Sequence, residues 1–193
     1  MSGFSQKYKF DQANNSALVN SIHVGALVKV VVFDKAKMTV DVLPISKRLT
    51  GGEYATPSQV LGVPVAVTRS GGFLYRPFIK EGDIGVILYL DHDIDKTLET
   101  ADECKPNTER THSDSDAVFI GGIIAGDFEC PDLPDGMVMA TENGDIYLAV
   151  TERNIQIKGD VVVEGDVVAD AISLKEHKHR DVESGAGISG TPV

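Results

Sequence analysis

The stretch that decides the fold is residues 155–172, "IQIKGDVVVEGDVVADAI". Every second residue from Ile155 is apolar or small: Ile155, Ile157, Gly159, Val161, Val163, Gly165, Val167, Ala169 and Ala171. The residues between them are mostly charged or polar. Period two held over 17 residues is a strand pattern with one buried face. One continuous strand of that length would span roughly 56 Å at about 3.3 Å per residue, and alone it would expose two edges and an apolar face. Gly159-Asp160 and Gly165-Asp166 repeat at a six-residue interval. Glycine inside a strand marks a kink or a close backbone approach, so short strands can wind about an axis. Three identical chains wound together would pair the edges and bury the apolar faces. The expectation is an intertwined trimeric β-helix. A monomeric solenoid needs about three self-similar coils, and this run does not supply them.

The segment before it also alternates, in the other phase: Ile146, Leu148, Val150. The phase slips near Glu152-Arg153-Asn154, which predicts a separate short strand or turn there. Ile172 and Leu174 are again apolar in the opposite phase, so the alternation shifts once more between 171 and 177.

Upstream the pattern is that of a small barrel. "HVGALVKVVVFDKAKMTVDVLPI" (23–45) holds two β-branched runs joined by a tight turn at "FDKAKM". Further strands follow in 54–78, closed by Ser70-Gly71-Gly72, in Ile84–Leu90 after a turn at Glu81-Gly82-Asp83, and in 115–126. No long helical pattern lies between them. Five or so strands in this length fit an OB-like Greek-key barrel. Such barrels often bind oligonucleotides or sugars. This segment reads as lacking the basic stripe with interleaved aromatics that single-strand binding needs, and fold alone does not give function. Residues 1 to about 20 read as a polar leader, with a weak helical pattern placing Ala17, Leu18 and Ile22 on one side.

Twenty-six mostly polar residues, 91–116, read as a long surface loop. Its "DHDID" resembles a metal loop but lacks the glycine and distal glutamate of an EF-hand, so a solvated acidic loop is expected. Cys104 and Cys130 have no zinc spacing and read as two free thiols. The net charge of -11 disfavours nonspecific nucleic-acid binding. No signal peptide and no apolar run of transmembrane length is read, so synthesis in the cytoplasm is expected.

The last motif is His177-Lys178-His179. On an extended strand, residues i and i+2 share a face. One chain then offers two imidazoles; three chains on an axis offer six, an octahedral nitrogen cage. Imidazole suits iron, nickel, zinc and copper, and six-coordination disfavours structural zinc, which is usually tetrahedral. Such a cage leaves no open position, so the metal would be structural. The rival reading joins His177, His179 and Asp181 into a metallohydrolase His-x-His-x-Asp. It needs further ligands downstream, and only 12 residues follow Asp181, none of them His. Two unliganded surface histidines are the plainest alternative.

The barrel with "EGDIGVILYLDHDID", then "RTHSDSDAVFIGG", the alternating run and the ending "EHKHRDVESGAGISGTPV" together resemble the membrane-puncturing central spikes of contractile phage tails. The resemblance covers about residues 20–193. It implies a homotrimer at the tail baseplate tip of the virion, in which the leader (1–20) is followed by a barrel collar (21–130), a β-helical shaft (131–172) and an apex (173–193). It also implies one iron ion per trimer, held by His177 and His179 of each chain. The expected partners are baseplate hub proteins and, mechanically, the host outer membrane, with no nucleic acid and no catalysis. Relatives often carry glycines after the second histidine, where this chain has Arg180-Asp181. The implied action is mechanical: tail contraction drives the spike through the host outer envelope, and an acidic surface limits adhesion to anionic lipid. A noncatalytic OB-fold module docking a glycan or a protein is the alternative.

Overall fold

Valines recur at alternate positions in 25–34 and 39–44, and these stretches pair as the first hairpin of a curled sheet. The computed structural model describes residues 7–15, 22–50, 52–178 and 185. It divides into two compact units, 1–128 and 129–193. In the first, the strands are β1 (Gly25–Asp34), β2 (Thr39–Pro44), β3 (Arg48–Thr50), β4 (Glu53–Ala55), β5 (Val60–Pro64), β6 (Thr68–Ser70), β7 (Phe73–Tyr75), β8 (Ile84–Tyr89) and β9 (Ala117–Gly121). In the second they are β10 (Met137–Ala140), β11 (Tyr147–Val150), β12 (Ile155–Lys158), β13 (Val168–Ala169) and β14 (Ile172–Ser173).

The main sheet has the order β5-β2-β1-β8-β9, all neighbours antiparallel. It curls into a half-barrel until its outer strands meet at one parallel bridge, Val65↔Phe119. The all-β expectation holds. Register shifts at Val30–Val32 of β1 and at Val60–Val63 of β5 mark bulges that bend these two strands. The β1–β2 turn is tied by the Asp34 carboxylate, which accepts from the backbone N–H groups of Ala36 and Lys37 at 2.9 and 3.0 Å. Inside the curl lie Val28, Val30, Val40, Val42, Val60, Val63, Ile87 and Phe119. Gly85 is needed because the Phe119 ring lies flush against it: a Cβ there would collide with the ring and with the Ile120 carbonyl.

Two small hairpins stand apart from this sheet. β3 pairs with β4, and β6 pairs with β7 across Gly71-Gly72, both with positive φ. Residues 7–15 are helical and exposed. The helix anticipated near Ala17, Leu18 and Ile22 therefore starts earlier; 16–21 lie outside the described residues.

In the second unit β10-β11-β12 form an antiparallel sheet, and β13-β14 a two-residue-turn hairpin. Within 155–171 the strand breaks at the first of the expected glycine kinks. β12 ends at Lys158, before Gly159, whose φ is 116°; 160–167 are outside strands; and the chain reverses at Asp170-Ala171, with φ 56° at Asp170. The phase slips have the same cause. Antiparallel partners share a face, and Val150↔Ile155 and Ala169↔Ile172 are each one odd and one even residue. A hairpin of that register moves the apolar set from even to odd positions, or back.

Candidate functional site

In the C-terminal unit the pairing aligns two cross-strand rows, Met137–Val150–Ile155 and Met139–Leu148–Ile157. Alternation puts all six side chains on one face of β10-β11-β12. Every one is exposed, up to 75% for Met137 and 67% for Ile155. The opposite face is held by the chain's own residues: Ala149 is fully buried, and the Lys158 ammonium donates to the Gly144 carbonyl at 3.0 Å while lying 5.9 Å from the Tyr147 ring centre. The sheet thus has one satisfied face and one apolar face open. Val161, Val162, Val167, Val168, Ile172 and Leu174 further along are exposed too.

His177 follows a turn at 174–176 and not an extended run. The Asp166 carboxylate organises that turn, accepting from the Ser173 hydroxyl at 2.5 Å and from the Lys175 N–H at 3.1 Å. The Ser173 bond, foremost, holds the Asp166 carboxyl below its ordinary range. The His177 N–H donates to the Ser173 carbonyl, and its Nδ1 lies 3.1 and 3.0 Å from the carbonyls of Ser173 and Leu174. Carbonyls only accept, so Nδ1 carries the proton and the lone pair of the neutral ring belongs to Nε2. Metal-ligating histidines are commonly anchored in this tautomer as well. His179 lies outside the described residues.

One sequence expectation is corrected in the first unit. The "DHDID" loop is not a solvated acidic stretch. Asp93 and Asp116 are buried and converge on Arg110. Arg110 Nε donates to Asp116 at 2.6 Å, and its Nη2 donates to Asp116, Asp93 and Asp95 at 2.8, 3.1 and 2.9 Å. The carboxylates of Asp93, Asp95 and Asp116 lie close enough to hold a cation, but the guanidinium already supplies that charge. The Asp116 carboxyl is lowered chiefly by Arg110; that of Asp93 chiefly by the Thr108 hydroxyl, which donates to it at 2.8 Å. The Arg110 pKa is raised in turn. The loop also contains a helical turn, Asp95–Thr100. His112 sits there with its Nε2 3.8 Å from Asp91, and His23 lies 3.9 Å from Asp114.

Around the β6–β7 hairpin the sequence holds Arg69, Phe73, Tyr75, Arg76, Phe78 and Lys80, and Phe73, Tyr75 and Phe78 are exposed.

No curated protein matches the chain. Residues 27–122, which run from β1 to the end of β9, match the family model described as the phage protein Gp138 N-terminal domain, and this match supports a virion-associated phage structural protein.

Proposed function

We propose that the protein is the membrane-piercing central spike of a contractile phage baseplate, a homotrimer at the tail tip. The observation that carries this reading is the apolar face of β10-β11-β12, with the exposed valines beyond it. A water-facing sheet surface of six large apolar side chains is an aggregation hazard unless another surface covers it. Three copies packed about an axis would cover it with the same surface on each chain. The barrel forms the collar, where baseplate hub proteins dock. The C-terminal unit forms the shaft and apex, which reach the host outer membrane first.

The residues that would hold an iron ion are His177 and His179 of each chain. Bound there, the metal would tie three chains together at the point without an open coordination position. The carbonyl-anchored His177 ring supports this assignment. No catalytic step is required: rigidity under load is the function, and interchain burial with a metal clamp would supply it.

The test is native mass spectrometry of the full chain. The expected species is three chains of 20.7 kDa plus one transition-metal ion. A metal-free monomer would remove the spike reading and leave the barrel as a noncatalytic docking module.

A further inference from the structure

The β6–β7 hairpin is a second surface that the folded chain leaves open. It is a two-stranded ribbon with every residue of both strands exposed. Ribbons of this kind are marginally stable in water without tertiary support. This one nevertheless presents Phe73 at 82% exposure, Leu74, Tyr75 and, just beyond, Phe78 at 70%. Its charge is equally unusual. From Val65 to Lys80 there is no Asp or Glu but there are Arg69, Arg76 and Lys80. The chain has 18 Lys and Arg against 29 Asp and Glu, so outside this arm the balance is 15 against 29. Arginine and aromatic residues together are the composition of interface hot spots.

We infer that the β6–β7 arm docks on the acidic barrel of a neighbouring copy of this chain, so that three arms close a ring around the collar. The inference rests on the trimeric reading and adds a second contact to it, in the barrel. Charge complementarity selects this occupant. Each copy carries a basic arm and an acidic remainder, so every arm meets opposite charge on its neighbour. The same head-to-tail contact made three times closes on itself. It also offsets the mutual repulsion of three strongly acidic chains. A nucleic acid fits less well, since three cations neutralise few phosphates and the rest of the surface repels them.

The experiment places the photo-crosslinker p-benzoylphenylalanine at position 73 of the full-length protein. A second preparation carries it at position 157, on the apolar face of the C-terminal sheet. Expected at 73 are interchain crosslinks that peptide mapping assigns to residues 1–128 of the partner. Arg69→Glu with Arg76→Glu should lower the yield at 73 at least fivefold and leave the yield at 157 unchanged. Interchain crosslinks at 157 with none at 73 would overturn the arm while the trimer stands. So would crosslinks at 73 that form only with added oligonucleotide, anionic vesicles or other proteins, or a yield at 73 indifferent to charge reversal. A monomer by native mass, with no crosslink at either position, would overturn both readings.

Discussion

At the scale of single residues, the feature with the clearest consequence is Arg110 among three aspartates. Burying a charge is costly unless it is paired. Here two buried carboxylates are compensated by one guanidinium that spans the loop from Asp93 to Asp116. Both carboxyls titrate below their ordinary range. A depressed carboxyl contributes stability that is fully present above its unfolded pKa of about 3.9. That stability is lost as pH falls through the lower, folded value. Asp116→Asn should therefore lower the thermal midpoint by several degrees at pH 7 and flatten its fall below about pH 4. Thermal unfolding between pH 7 and pH 2 measures this, and parallel curves for the two proteins would show that the cluster is not the source. Little of it was legible in the sequence. Asp93, Asp95, Arg110 and Asp116 lie in a polar stretch whose local pattern is that of a solvated loop. Only the pairing with Arg110, 17 residues from Asp93 and 6 from Asp116, compensates the two carboxylates that are interior, Asp93 and Asp116.

At the scale of elements, alternation is both the most and the least informative signal. It reads β1, β2 and β8 correctly because each belongs to one curled sheet with one wet face, and because Asp34 and Gly82 mark the turns. Over 155–171 the period of two persists although only 155–158 and 168–169 are strand: the chain leaves the strand before Gly159 and reverses at Asp170-Ala171. Asp170 at positive φ is the turn residue, where a glycine would have announced it. The slips of phase at 152–154 and 171–172 were the available signal for reversals. The same register yields a prediction. Ile155 and Ile157 head the two rows of the open apolar face. Fully burying such a side chain is worth about 1.5–3 kcal/mol. Ile155→Asn with Ile157→Asn should thus weaken association by about 3–6 kcal/mol per chain. Sedimentation should find monomers where the parent is a trimer, with the barrel's thermal transition kept. A double variant that stays trimeric at the same dilution would place the chain–chain contact elsewhere.

At the scale of the whole molecule, the question is which part of the structure holds three chains together. Beside the β6–β7 arms of the barrel, two sources lie in the C-terminal unit, the apolar sheet face and the pair His177 and His179. They differ greatly in extent. The face spans three strands, and further exposed valines follow it in the chain, whereas the metal site draws on two residues per chain. If each chain contributes both, the metal is an addition at the point and the sheets are the main bond. His177→Ala with His179→Ala should therefore abolish metal binding, read by elemental analysis, and leave the trimer intact by native mass. Acid should separate the two in the parent protein as well. An imidazole must be neutral to bind, and its ordinary pKa is about 6.5, so the metal should leave as pH falls below that value. The apolar contact has no such dependence. Trimers that lose metal in mild acid and persist would assign cohesion to the sheets. Dissociation of the double variant to monomers would instead make the metal the principal bond, and the exposed valines and isoleucines would then need another partner.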